Sequence, residues 1–144
     1  MNKITVLKFG GTSVSRASEN IIKVIEKESN ENKNLIVVLS AFSGMTNILY
    51  KLIEEPKKLK ENFNSYIKNY HDYYINENFT NQEIKNELLK VLVNINKSFI
   101  NSIDNLENKN ITEEQFLDTI VCYGERISVQ IYKYLLKQHG IDSY

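Results

Sequence analysis

The chain has 144 residues, of which 42% are hydrophobic and 25% are charged, and its formal net charge is zero. This length is enough for one domain with a buried core. Zero net charge gives no electrostatic drive toward nucleic acid or membrane surfaces, and no apolar run approaches the ~18 residues that span a bilayer. Met1 leads directly into a predicted strand without a secretory signal pattern, so we expect a cytoplasmic protein with no nucleic-acid or membrane partner.

Two short apolar segments near the start predict parallel β-strands. Residues 4–8 form the first, and Leu35–Leu39 form the second. The second is a continuous run of Leu, Ile and Val, which is typical of a parallel strand covered on both faces. Between them, the apolar residues of segment 16–29 recur at helical spacing. The order strand, helix, strand predicts a right-handed βαβ unit.

The chain beyond the second strand is predicted to be helical. Residues 57–110 are interpreted as a helical excursion from the sheet within the same domain. Thr112 and Gln115 form a capping box that starts a last helix, which is expected to end near Gln138. Gly124 falls in the middle of that helix, where it either allows close packing or marks a break. We therefore predict an α/β fold with three αβα layers and a mainly parallel sheet.

Cysteine and histidine usage points away from disulfides and metal centres. Cys122 is the only cysteine, so no internal disulfide can form, and its apolar neighbours predict a buried thiol. His71 and His139 lack ligand-like residues nearby in the sequence, so no metal site is predicted. The tyrosines of segment 66–74 share a helical face, which we expect to pack inside the excursion rather than stack on nucleobases.

The segment K-F-G-G-T-S-V at residues 8–14, the first motif, follows the first strand and predicts an anion site. Glycines let the backbone approach a ligand closely. Exposed amides at the start of a following helix favour negative charge, and Lys8 adds a full positive charge. Neither the Walker P-loop pattern nor the dinucleotide-binding pattern G-x-G-x-x-G is present. The residues alone therefore predict a phosphate-handling α/β domain.

Two later segments carry further polar groups that suit a ligand. The second motif, S-A-F-S-G-M-T-N at residues 40–47, begins where the second strand ends, on the side where open α/β sheets bind ligands. A turn with a helix cap is the alternative interpretation. The third motif, G-E-R-I-S at residues 124–128, places Glu125 and Ser128 on one side of a helix. The Glu125 carboxylate needs a partner there, which is either a neighbouring Lys or Arg or the ammonium group of a ligand.

The three motifs resemble, in the same order, those of aspartate kinases, members of the amino-acid kinase superfamily. The resemblance implies transfer of phosphate from ATP to the side-chain carboxylate of L-aspartate, with Mg²⁺ carried by the nucleotide. The product, 4-phospho-L-aspartate, leads to lysine, threonine and methionine. The resemblance covers the whole chain but only the first half of the family's catalytic domain. We therefore expect residues 1–144 to be an incomplete, N-terminal portion of that domain, homo-oligomeric in the full-length enzyme.

The resemblance also implies roles for individual residues. Lys8 would be catalytic, stabilising the transferred phosphoryl group, and Glu125 would hold the substrate ammonium group. The expected nucleotide- and phosphate-binding residues are Lys8, Phe9, Gly10, Gly11, Thr12, Ser13 and Ser40. The expected substrate-binding residues are Ser40, Gly44, Thr46, Asn47, Glu125 and Ser128.

Two alternatives stay open on the sequence alone. Later family segments are absent from this chain, including an arginine for the substrate α-carboxylate and most of the adenine pocket. The chain alone would then be a catalytically inactive fragment, or one half of a split kinase that acts as a binding or assembly module. Other superfamily members share a lysine and a glycine-rich first loop, and they act on acetylglutamate, glutamate, carbamate or UMP. A kinase for another small amino acid or carboxylate is therefore the second alternative.

Overall fold

The structure is a computed structural model, and it describes residues 4–31, 34–53, 69–108 and 110–144. Along the described residues, one strand comes first, two helices follow it, and a second strand comes before the remaining four helices. The strands are β1 (Thr5–Phe9) and β2 (Leu35–Leu39), and the helices are α1 (Gly11–Arg16), α2 (Ser18–Glu31), α3 (Met45–Ile53), α4 (Asn69–Asn78), α5 (Gln82–Glu107) and α6 (Glu113–Gln138).

The two strands pair in parallel, as predicted. Their register runs from Thr5 opposite Leu35 to Phe9 opposite Leu39. Parallel strands need a crossover connection, and α1 and α2 form it here. The helix predicted over 16–29 is confirmed as α2, which begins at Ser18, and a separate short helix, α1, precedes it at Gly11–Arg16. Ala17 lies between them with φ −128° and ψ 38°, and no Gly or Pro marks this break in the sequence.

The two faces of the sheet differ in how far helices cover them. Successive side chains of a strand point to opposite faces. Leu39 is buried on the face where α2 and α6 contact β2. On the other face Val6, Ile36 and Val38 are 59%, 50% and 42% exposed. The described helices pack on one side of the sheet, so they cover β2 on one of the two faces that were predicted to be covered.

The two longest helices, α5 and α6, pack against each other and build the core away from the sheet. α6 begins at the predicted capping box, in which the Gln115 N–H donates to Thr112 Oγ1 at 3.2 Å and the Thr112 N–H donates to Gln115 Oε1 at 3.0 Å. The helix ends at Gln138, as predicted. The helical excursion is confirmed where α4 and α5 lie, whereas residues 57–68 are outside the described residues.

Gly124 allows α3 and α6 to pack closely, and α6 continues through it without a break. A Cβ atom built at Gly124 would lie 2.8 Å from the Cβ of Ala41 and 3.2 Å from the Cγ of Met45. Both neighbours are buried. Of the two predicted alternatives for Gly124, close packing is therefore the correct one, and it brings the third motif against the second.

Cys122 is exposed, so the prediction of a buried thiol is wrong. It lies two residues after the buried Ile120, which at 3.6 residues per turn places it ~200° around the helix. Among the residues that the structure describes, no group of three or more His, Cys, Asp and Glu side chains could hold a metal ion. The described helices include none with the length and apolar character needed to cross a membrane.

Candidate functional site

The carboxyl ends of β1 and β2 bring the first and second motifs side by side. The Ser40 N–H donates to the Phe9 C=O at 3.1 Å, which continues the pairing one step beyond the strands. The two loops that follow therefore begin next to each other, at the edge of a parallel sheet where ligands bind.

All three motifs meet at Ala41. A Cβ atom built at Gly11 would lie 2.6 Å from the carbonyl oxygen of Ala41, and one built at Gly124 would lie 2.8 Å from its Cβ. These separations are shorter than real Cβ atoms tolerate, so glycine is required at both positions for this approach. The tertiary fold thus joins segments that are distant in the sequence into one site.

Lys8 lies on the exposed face of β1, one residue before the strand ends. It forms no hydrogen bond or ion pair with the portion of the chain that the structure describes. Gly10 is the N-cap of α1 and supplies no side-chain cap, and Thr12 and Ser13 are exposed residues of the first turn. The first amides of a helix have no partner within it. The ammonium group and these amides together suit an anion such as phosphate.

The second motif turns sharply from β2 into α3. The Met45 N–H donates to the Phe42 C=O at 3.0 Å, and the Ile48 N–H donates to the Gly44 C=O at 3.1 Å. Two predicted substrate residues therefore belong to the first turn of α3, where Thr46 is half-buried and Asn47 is exposed. Ser40, half-buried at the end of β2, completes the polar groups of this loop.

Glu125 and Ser128 differ in what they can offer a ligand. The Oε2 atom of Glu125 is buried, and the described residues supply no hydrogen-bond partner for it. The Ser128 side chain is fully buried, and its hydroxyl donates to the Glu125 C=O at 2.9 Å. A buried unpaired carboxylate oxygen is costly, and a cationic ligand group would offset that cost. Glu125 therefore has capacity for a ligand, whereas the Ser128 hydroxyl is already used within its helix.

Two buried tyrosines, which sequence reasoning did not select as site residues, support the first motif through hydrogen bonds. The Tyr132 hydroxyl donates to the Val14 C=O at 2.8 Å, and the Tyr74 hydroxyl donates to the Tyr132 hydroxyl at 3.1 Å. Burial raises the pKa of both phenols, so both remain hydrogen-bond donors. The sequence signal that could have identified Tyr132 was its spacing, because it follows Ser128 by one helical turn and lies on the same face of the helix.

A cavity of about 360 Å³ lies away from the strand ends, among α4, α5 and α6. Its lining includes His71, Lys85, Leu92 and Tyr123, and it contains none of the predicted site residues. Ile127 of the third motif also lines this cavity, so the cavity adjoins that motif but contains none of the side chains proposed to bind a ligand.

Comparison with known proteins identifies the protein family in which these motifs occur. A model of the amino acid kinase family matches residues 3–144. The aspartokinase of Candida albicans is 30% identical over 96% of this chain and 27% of that protein. The bifunctional aspartokinase/homoserine dehydrogenase of Buchnera aphidicola is 33% identical over 95% of this chain and 17% of its own length. The chain thus spans less than a third of either relative, and the resemblance to aspartate kinases is confirmed.

Solved structures show the same fold. E. coli aspartokinase III in complex with lysine and aspartate, in its T-state, matches with a TM-score of 0.73 at 24% identity over 96% of this chain and 30% of that chain. Its R-state complex with aspartate and ADP matches with a TM-score of 0.67 at 27% identity over the same shares. This likeness confirms the predicted αβα fold class.

Proposed function

The chain belongs to the amino acid kinase family, and from that premise we propose that it is the N-terminal part of the catalytic domain of an aspartate kinase. The proposed reaction transfers the γ-phosphoryl group of ATP to the side-chain carboxylate of L-aspartate and yields 4-phospho-L-aspartate and ADP. This product would serve the synthesis of lysine, threonine and methionine. The observation that carries the proposal is the meeting of the three motifs at Ala41.

The relatives support aspartate and a nucleotide as the ligands. Aspartokinases of a fungus and a bacterium match nearly the whole chain, and the R-state structure of the E. coli enzyme contains aspartate and ADP. Mg²⁺ would arrive bound to the phosphates of ATP, as part of the substrate. Homo-oligomerisation of the full-length enzyme and a cytoplasmic location stay predictions.

The chemistry requires positioning and charge neutralisation more than proton transfer. A carboxylate oxygen of aspartate attacks the γ-phosphorus, the bond to the β,γ-bridging oxygen breaks, and ADP takes the electron pair. The attacking carboxylate is already ionised at pH 7, so the reaction needs no general base. The Lys8 ammonium group stabilises the oxygens of the moving phosphoryl group, and the first amides of α1, from Gly11 on, add hydrogen bonds.

The second and third motifs are proposed to bind aspartate. Glu125 is proposed to bind the ammonium group of aspartate through Oε2, the buried oxygen that lacks a partner among the described residues. Ser40, Gly44, Thr46 and Asn47 are proposed to contact the substrate carboxylate and the transferred phosphate from the loop between β2 and α3. The Ser128 hydroxyl already donates its proton to the Glu125 C=O, so the proposed contact of Ser128 with substrate would use an acceptor site of its oxygen.

The uncovered sheet face favours a second candidate for the 144-residue chain taken alone. Val6, Ile36 and Val38 form an apolar face that no helix of the described residues covers. A chain that lacks a covering layer suits a binding or assembly module, which would be either an inactive fragment or one half of a split kinase. The two candidates differ in whether this chain is active without further residues.

The proposal is tested by an acyl-phosphate assay. The protein at the full length that its gene encodes, called the natural-length protein below, is incubated with ATP, Mg²⁺ and L-aspartate. Hydroxylamine traps the acyl-phosphate product as the hydroxamate. We expect aspartate hydroxamate with the natural-length protein and none above background with residues 1–144 alone. Glutamate, acetylglutamate, carbamate and UMP serve as competing acceptors. Phosphorylation of one of these in place of aspartate would transfer the assignment to another member of the family.

Replacing Glu125 with glutamine is expected to raise the KM for aspartate about ten- to a hundredfold, because the amide oxygen can still accept a hydrogen bond but the negative charge that pairs with the ammonium group is lost. The KM for ATP should change by less than about twofold, because the nucleotide contacts the first motif. The thermal midpoint should not fall, since the substitution removes a charge whose Oε2 atom is buried and has no hydrogen-bond partner among the described residues. Glu114→Gln, at an exposed position of the same helix, is the matched control. Equal rises in both KM values would indicate a structural role for Glu125.

A further inference from the structure

The backbone of Ser43, in the second motif, is held at both its N–H and its C=O by side chains outside the three motifs. The Ser43 N–H donates to the Oγ of Ser15 at 2.7 Å, and the Ser43 C=O accepts a hydrogen bond from the Tyr70 hydroxyl. We propose that Ser15 and Tyr70 are positioning residues that fix the loop between β2 and α3 relative to the first motif. Neither residue would touch the reacting atoms.

Ser15 joins the two loops through a single hydroxyl. Its Oγ donates to the Gly11 C=O at 2.7 Å and accepts the Ser43 N–H. A serine hydroxyl has one donor and two acceptor sites, so both bonds form at once. The loop is therefore attached to α1 at two neighbouring points, which are the close contact of Gly11 with Ala41 and the hydrogen bond of Ser15 to Ser43.

Tyr70 brings the helical excursion into the site. It belongs to α4 and is half-buried, and it lies 27 residues beyond Ser43 in the chain. Its ring packs edge-on against that of His71, with the ring centroids 5.7 Å apart. The excursion therefore supplies a hydrogen-bond donor that reaches the loop directly from a helix outside the βαβ unit.

The two bonds restrict the loop before any ligand binds. A backbone residue held at both its N–H and its C=O has little freedom, so a ligand that binds next to it pays less for ordering the loop. Misplacing a reacting group by about 1 Å can cost on the order of a hundredfold in rate. The expected effect on aspartate binding rests on the proposed function. The two hydrogen bonds to Ser43 do not depend on it.

Hydrogen exchange tests the bonds without any assay of activity. In the natural-length protein, Ser15→Ala should speed exchange of the Ser43 amide about fivefold or more, because a hydrogen bond contributes about 1 kcal/mol. Ser15→Thr keeps the hydroxyl and should leave the exchange rate near that of the wild type. Ser102→Ala is the matched control, since the Ser102 hydroxyl also donates to a carbonyl four residues earlier, Ser98 at 3.0 Å, but bridges no loop. Unchanged exchange at Ser43 in Ser15→Ala would overturn the proposal.

Steady-state kinetics test the positioning role. Ser15→Ala and Tyr70→Phe should each raise the KM for aspartate about five- to tenfold, and the KM for ATP should change by less than about twofold. Ser15→Thr should restore the wild-type values. The double variant should fall short of the product of the single effects, because both side chains act on Ser43. Equal changes for both substrates without rescue by Ser15→Thr would contradict positioning and indicate general destabilisation.

The two experiments separate this inference from the proposed function. A Ser43 amide that responds to Ser15→Ala in a protein without aspartate kinase activity would refute the proposed function and leave the bridge in place. An active aspartate kinase whose Ser43 amide ignores Ser15→Ala would refute the bridge and leave the proposed function in place.

Discussion

Replacing Lys8 with alanine in the natural-length protein is expected to lower kcat for aspartate phosphorylation about a hundredfold or more, by analogy with the loss of other groups that stabilise developing charge. Lys8 is the charged side chain near the carboxyl end of β1, two residues before Gly10, the N-cap of α1. Its ammonium group would meet the phosphoryl oxygens as their charge redistributes, so the loss falls on the transition state and appears in kcat.

The same replacement should leave folding intact. Lys8 is exposed and pairs with no part of the described chain, so alanine should change the free energy of unfolding by less than about 0.5 kcal/mol. Lys27→Ala removes an equal charge from an exposed position of α2 and serves as the matched control for kcat. A Lys8→Ala variant with kcat near that of the Lys27→Ala control would remove Lys8 from the mechanism. A fall in the thermal midpoint alongside the loss of activity would instead assign Lys8 to the fold.

Replacing Gly11 with alanine is expected to destabilise the protein by about 1–3 kcal/mol, as other overpacking substitutions do. The new methyl group would lie 2.6 Å from the Ala41 carbonyl oxygen and 3.5 Å from the Ser43 nitrogen. The nearest of these is a backbone atom, which cannot rotate away as a side chain can. The second motif would have to move from α1, so activity should fall together with stability. This loss should exceed the ~1 kcal/mol that alanine gains over glycine in a helix.

Gly10 provides the control for Gly11. A Cβ atom at Gly10 would meet no atom within 4 Å, and φ is −78°, which any residue adopts. Gly10→Ala should therefore cost only the difference between glycine and alanine at an N-cap, no more than about 1 kcal/mol in a urea titration. If Gly10→Ala and Gly11→Ala destabilised the protein equally, the close approach of Ala41 would not be the reason that position 11 requires glycine.

Local patterns in the sequence predicted those features whose causes lie within a few residues. The run of β-branched and Leu residues predicted β2 to the residue, since a strand depends on its own side chains as well as on its neighbours. The capping box at Thr112 was predictable because both of its hydrogen bonds close within three residues. The break between α1 and α2 at Ala17 had no such local signal, and the division into two helices was not predicted.

Burial could not be read from apolar neighbours alone. Cys122 sits among apolar residues, yet it faces solvent because the buried face of α6 is the one that carries Ile120 and Gly124. Ile36 and Val38 are as apolar as a buried strand requires, yet no described helix covers them. In both cases burial depends on which element packs on which face, and composition does not specify that.

The sequence by itself determined the strand–helix–strand order, the two strands to within one residue, the capping box at Thr112 and the three motifs that place the chain in its family. Tertiary structure alone decided that these motifs meet at Ala41, that Ser15 and Tyr70 hold Ser43, and that Tyr132 supports Val14. The physical reason is distance along the chain. The last of these bonds joins residues 118 positions apart, and such contacts arise only when separate helices and strands pack together.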